Sequence, residues 1–274
     1  MQAALQRRIQ RYGWDRASSL YEESWREQLA PAQHRLLKAA RLRAGERVID
    51  IACGTGLVSL PAAAAVHPFG SVLGTDISEK MVETARAQAL GLGLRNTSFE
   101  RMDAERLELP DNYFDVALCA LGLMYVPEPA QALREMLRVL RPGGRCVAAV
   151  WGERKRCGWA GIFPVVDARV KSEVCPVFFQ LGTGDTLKRT FTEAGFAWVQ
   201  SERLSTTLHY SSAEDACSAA FAGGPVALAY AHFDEHTKTD ACAEYLASIE
   251  THRDGREYNV PGEFVIVAGS KPRD

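Results

Sequence analysis

The sequence predicts an α/β protein built on an open, mostly parallel sheet, and three features predict it. The apolar run Val48-Ile49-Asp50-Ile51 ends at Ala52-Cys53 and breaks into Gly54-Thr55-Gly56, after which Leu57 to Ala65 begins a helix. Strand-like runs then alternate with helical ones as far as Trp151, the rhythm of right-handed strand–helix–strand units. Finally, Tyr113 to Ala120 (YFDVALCA) is nearly continuous in apolar character, as a strand covered on both faces must be.

The elements follow in order. Residues 1–43 are helical in pattern, with Pro31 expected to begin a second helix that ends near Ala44-Gly45. Strands are expected at Ser71–Asp76, Thr97–Met102, Tyr113–Ala120 and Arg145–Trp151. A helix over Ala130–Leu140 and the turn Arg141-Pro142-Gly143-Gly144 precede the last of these. Residues 152–181 are less regular, broken by Pro164 and Pro176, and the helix Thr183–Ala194 stops at Gly195. Trp198–Tyr210 reads as a strand, 212–251 as Ala-rich helix punctuated by Gly223-Gly224-Pro225, and Gly262–Gly269 (GEFVIVAG) as a β-prone closing strand. The expected organisation is a helical cap over 1–44, an α/β core over 45–211 continued by 256–274, and a helical insertion over 212–255.

Composition narrows the function classes. The 274 residues are 47% hydrophobic and 24% charged, ordinary for a globular chain of one large domain or one domain with an insertion. A net charge of -2 leaves no electrostatic footprint for nucleic acid, and Arg154-Lys155-Arg156 reads as a short solvated loop. No signal-peptide core or membrane-length apolar run is present, so a cytoplasmic, reduced protein is expected. Seven cysteines without a C-x-x-C argue against a zinc site or a disulfide framework; Cys53, Cys119 and Cys146 read as small hydrophobes in buried strands.

The glycine turn implies a nucleotide-like ligand, because Gly54 and Gly56 can take positive φ and let bare backbone approach it. Position 59 is Ser, where a dinucleotide fingerprint has its third glycine. Asp50, four residues before Gly54, suits a cationic ligand instead. Asp76 ends the next strand, about 20 residues after the glycines, where an acid can accept both ribose hydroxyls. Its other reading is a helix N-cap, a role that Ser78 is expected to take, leaving Asp76 free. Asp103-Ala104 closes the third strand.

The run from Asp50 to Gly56 resembles motif I of the class I S-adenosylmethionine (SAM) dependent methyltransferases. The phrase LREMLRVLRPGGRCVAAVWG resembles the group that includes the ubiquinone and menaquinone C-methyltransferases. The resemblance implies a Rossmann-like, seven-stranded sheet whose last strand is antiparallel, with SAM outside the strands' carboxyl ends. It implies that Asp103 holds the adenine amino group while the Ala104 amide meets a ring nitrogen. Ala52, Ile77, Met81, Ala120 and Leu121 complete the expected cofactor contacts.

The methyl of SAM is already activated, so the protein's tasks are to align a nucleophile and exclude water. Leu121, Gly122, Met124 and Tyr125 are expected to frame it, with Met124, Tyr125 and Trp151 nearest the acceptor. The Asn/Asp-Pro-Pro-Tyr/Phe signature of amino methylation on DNA or protein is missing there. Among the aromatics Tyr12, Trp14, Tyr21 and Trp25, which either pack or cap the pocket, Tyr21 is the best candidate to lie over the cofactor. A general base is needed only for an acceptor that loses a proton during attack. Candidates are His209 and the pair His232 and His236, read at i and i+4 on one helical face in HFDEH, otherwise a solvated face and too few ligands for a metal.

The expected function is methyl transfer to a small molecule at O, C, N or S. Apolar stretches around 121–126, 151–165 and 217–233 favour a quinone- or natural-product-like acceptor. The 212–251 segment is either a lid over that acceptor or a homodimer surface. The rival readings are a non-catalytic SAM-binding module and a nicotinamide-dependent oxidoreductase, the latter opposed by Ser59, Asp50 and Asp103.

Overall fold

In the computed structural model, which describes residues 3–170 and 177–273, five strands run parallel: β1 (Arg47–Ile51), β2 (Ser71–Asp76), β3 (Thr97–Arg101), β4 (Phe114–Ala120) and β5 (Leu140–Trp151). Pro176 lies outside the described residues. Helices α3 (Ser59–Val66), α4 (Glu79–Gly91) and α5 (Pro129–Val139) make the crossovers. β6 (Ala197–Tyr210) and β8 (Glu257–Ser270) complete the order β3-β2-β1-β4-β5-β8-β6. β8 is antiparallel to both its neighbours, and the two-residue β7 (Arg253–Asp254) pairs with its start. The sheet is therefore the expected seven strands plus this short eighth one.

The order reverses between β1 and β4, whose register sets Val48 beside Val116 and Asp50 beside Leu118. In an open α/β sheet that reversal opens a crevice at the carboxyl ends of the two strands. Below it, Val48, Ile49, Ile51, Val116, Ala117 and Leu118 are fully buried, as strands covered on both faces require.

Two helices precede the sheet, α1 (Ala3–Ala17) and α2 (Tyr21–Ala40). Pro31 does not begin α2 but lies inside it. Its ring removes one hydrogen bond to Glu27, which is exposed, so water can satisfy the freed carbonyl. Burial of Trp25, Leu29, Ala32, Leu36 and Ala40 holds the helix against the sheet across that position. α1 differs in kind: its buried residues are Gln6, Gln10, Gly13 and Ala17.

Other expectations are corrected locally. The Arg141–Gly144 turn is absorbed into β5 as an irregularity, the register shifting between Phe114–Leu140 and Val116–Arg145. The 212–251 helix is several pieces: α8 (Ala213–Cys217), a π-turn over Ser218–Ala222, α9 (Ala227–Tyr230) and α10 (Glu235–Ile249). The short helices α6 (Ile162–Asp167) and α7 (Thr186–Glu193) fill the stretch before β6. Cys217 and Cys242, left unpaired by the sequence reading, form a disulfide between α8 and α10. Cys53, Cys119, Cys146 and Cys157 are free and buried. No helix among the described residues is long and apolar enough to cross a membrane.

Because Leu36 is fully buried where α2 meets the sheet, Leu36→Ala should cost about 2–5 kcal/mol of stability. Urea denaturation reads this directly, and an unchanged midpoint would place α2 outside the cooperative core.

Candidate functional site

The site begins with a buried carboxylate. Asp76, 7% exposed at the end of β2, accepts the Gly54 amide on Oδ2 and the Ser78 amide on Oδ1, both at 2.9 Å. It thereby joins the glycine turn after β1 to the start of α4. Ser78 caps α4 through the Met81 amide at 3.1 Å, as expected, but Asp76 is not left free. Each of its oxygens keeps a lone pair for a further donor. Burial pushes its carboxyl up to about 6 against the opposing pull of those amides.

Asp50 lies behind the turn, fully buried. Its Oδ2 accepts the Ser59 hydroxyl at 2.6 Å, while Oδ1 has no partner among the described residues. Burial again dominates, holding its carboxyl near 7. Ser59, where a dinucleotide site has glycine, is thus the acid's support. Gly54 has φ of 54° and Gly56 of 94°; a Cβ at Gly54 would stand 3.8 Å from the Tyr21 ring. Ala52 and Leu121 also have positive φ, 55° and 63°, so the backbone is strained on both sides of the crevice.

Above the crevice is a cavity open to one side. The sheet's carboxyl edge contributes Ala52, Gly54, Asp76, Ile77, Met81, Met102, Asp103, Ala104, Ala120, Leu121, Met124, Tyr125 and Trp151. α1 and α2 roof it with Arg7, Gln10, Trp14, Tyr21, Trp25 and Leu29, and Trp159, Gly224 and Pro225 close the far side. Charge is confined to one end. Asp103 accepts the Glu105 amide at 3.0 Å and pairs with Arg7 at 3.1 Å; Arg7 also bonds the buried Glu105. The other end is aromatic, with Trp151 and Trp159 at 4.8 Å and Trp25 and Trp159 at 6.0 Å between centroids.

Of the residues singled out from sequence, Asp50 and Gly56 do not reach the cavity wall and can act only from behind it, and Tyr12 is exposed away from it, unlike Trp14, Tyr21 and Trp25. The histidines are elsewhere. His209 is exposed and bonds Asn259 at 3.0 Å. His232 and His236 do not share a helical face: Asp234 between them caps α10 through the Thr237 amide, which leaves His232 in the preceding turn. Both are exposed. Among the described residues no cluster of three or more His, Cys, Asp or Glu is placed to hold a metal. Arg7, Gln10, Leu29, Glu105 and Trp159 line the cavity without having been anticipated. For Glu105 the signal was its place directly after Asp103-Ala104, and for Trp159 its place in the apolar 151–165 stretch; for the others there was none.

Comparison with known proteins gives the chain a family and a shared fold. A methyltransferase domain family matches residues 49–148. The ubiquinone/menaquinone biosynthesis C-methyltransferase of Pseudomonas fluorescens is 44% identical over 123 residues, covering 43% of this chain and 48% of that one. That of Ectopseudomonas oleovorans is 43% identical over 123 residues, covering 43% and 72%. The chain spans about half the length of the first of these relatives. The YcgJ protein from Bacillus subtilis superposes with a TM-score of 0.64 at 20% identity, covering 89% of this chain and all of that one, which shows the shared fold. By its glycine turn, its strand order and this likeness, the chain belongs to the class I SAM-dependent methyltransferases, in the group of the ubiquinone/menaquinone C-methyltransferases.

Proposed function

We propose that the protein transfers a methyl group from SAM to a small, moderately apolar acceptor of quinone- or natural-product-like character. One observation carries this: a single cavity at the sheet's switch point joins a carboxylate-rich end to an aromatic chamber. The unpartnered Oδ1 of Asp50 and the amide-clamped Asp76 fit a cationic, ribose-bearing ligand.

In this reading Asp76 accepts the ribose hydroxyls on its remaining lone pairs. Asp103 and the Ala104 amide hold the adenine, with Ile77, Met81 and Met102 as its apolar walls. Asp50 offsets the ligand's positive charge from behind the glycine turn. When bound, SAM supplies a methyl already activated by its sulfonium. Leu121, Gly122, Met124 and Tyr125, at the middle of the cavity, orient the acceptor towards that methyl. Tyr21 packs over the glycine turn, its phenol kept protonated by burial and by the Asp76 charge. Residues 1–44 and 212–255 act as a lid that excludes water, contributing Trp14 and Trp25 from one segment and Gly224 and Pro225 from the other. Neither His209 nor His232 and His236 serves as base.

Isothermal calorimetry on ligand-free protein should give micromolar binding of SAM and S-adenosylhomocysteine (SAH); binding of neither would end the proposal. Asp76→Ala should weaken binding by about 1–3 kcal/mol with the fold intact, since two hydroxyls lose a charged acceptor. Unchanged affinity would remove the ribose assignment.

The raised carboxyls give a pH dependence of definite sign. Below pH 6 Asp50 and Asp76 are largely protonated; above 7 both ionise, which burial disfavours and a cationic ligand favours. SAM affinity should therefore rise from pH 5.5 to 7.5 more steeply than that of SAH, which lacks the sulfonium charge. Asp50→Asn should flatten the difference, and parallel profiles in the native protein would contradict it.

A further inference from the structure

The strand order puts Asp76 and Asp103 on the β2–β3 side of the cavity and Trp151 on the β5 side, where the wall is made of rings. Two of those rings carry polar groups with nothing to bond. Trp25 and Trp159 are 4% and 2% exposed, both line the cavity, and their planes meet at 70°. The indole Nε1 of each is buried and meets no acceptor among the described residues. A buried donor without a partner costs about 1–3 kcal/mol, and native structures hold few. Two on touching rings of one wall mark a place where a bound molecule completes the bonding.

The same wall limits what that molecule is. Trp151 packs against Trp159, and Trp25 crosses both nearly edge-on, so this wall is made of ring edges and faces that favour an aromatic ligand. The cavity's formal charges, on Arg7, Asp76, Asp103 and Glu105, lie at the opposite end, on the β2–β3 side. Aromatic boxes also bind cations, but through ring faces and without donors of their own that need an acceptor. Unsatisfied N–H groups call for oxygen.

Resting on the methyltransferase reading above, we propose that Trp25 and Trp159 are specificity residues for the acceptor. Their indole N–H groups hold an oxygen of a flat phenolic or enolic ring and so decide which edge of that ring faces the methyl.

The test uses the intact protein saturated with SAH, its binding first verified by calorimetry, and three probes of one shape: 1-naphthol, naphthalene and protonated 1-naphthylmethylamine. Tryptophan fluorescence reads their binding. Naphthol should bind about tenfold more tightly than naphthalene, the worth of one or two buried hydrogen bonds. The ammonium should bind worst. Trp25→Phe and Trp159→Phe keep the ring and remove the donor; each should reduce the naphthol preference while leaving naphthalene and SAH affinities unchanged, which also verifies the fold. Equal binding of naphthol and naphthalene, a preference surviving both substitutions, tightest binding of the ammonium, or no probe bound at all would each overturn the proposal. Failure to bind SAH would instead overturn the methyltransferase reading beneath it.

Discussion

The carboxyl edge of the sheet is organised around one charge held out of water. Asp76 ties the amide of Gly54 to the amide of Ser78, so the turn after β1 and the start of α4 are fixed relative to each other by a single side chain. Asp15 of α1 then bonds the Ser78 hydroxyl at 2.6 Å, extending the same network into the roof. Burying a carboxylate is unfavourable unless hydrogen bonds compensate, and here the compensation comes from backbone donors that cannot rotate away. Its upward shift shows the compensation to be partial, leaving room for a ligand's donors to complete it.

Polarity in the cavity follows from the strand order. Acids end β2 and β3; aromatic and aliphatic residues end β4 and β5. The reversal between β1 and β4 turns this difference along the sheet into a difference across one chamber. In the function proposed above, a polar, cationic cofactor and an apolar acceptor would meet over Leu121 and Gly122, each in surroundings suited to it. A Cβ on Gly122 would lie 2.4 Å from that of Ala52, so the two loops at this meeting point are as close as their backbones allow.

Much of this was legible because it is local. Strand, glycine turn and helix are written in neighbouring residues, and strand ends place Asp76, Asp103 and Leu121 on one edge without knowledge of the tertiary fold. What was missed depends on longer range or on competing local chemistry. Arg7 meets Asp103 from a helix whose pattern carries no mark of that partner. Trp159 reaches the wall from a short turn in an irregular stretch. HFDEH has helical spacing, yet Asp234 prefers to cap rather than continue, and one cap undoes the histidine pair. Pro31 was read as a start because proline usually is one; packing of Leu29, Ala32 and Leu36 overrode it. Cys217 and Cys242, 25 residues apart, needed the fold of the insertion to meet.

The polar underside of α1 separates two demands on the molecule. Seating Gln6, Gln10, Gly13 and Ala17 gains little of the free energy that buried leucines give α2, so α1 relies on the Arg7–Glu105 pair, the Asp15–Ser78 bond and Trp14 packed against Tyr21 and Tyr125. That makes α1 less costly to lift than α2, its partner in the roof. In the function proposed above a ligand would pass beneath α1 while α2 and the sheet stay folded, so that durability and turnover would draw on different parts of one chain.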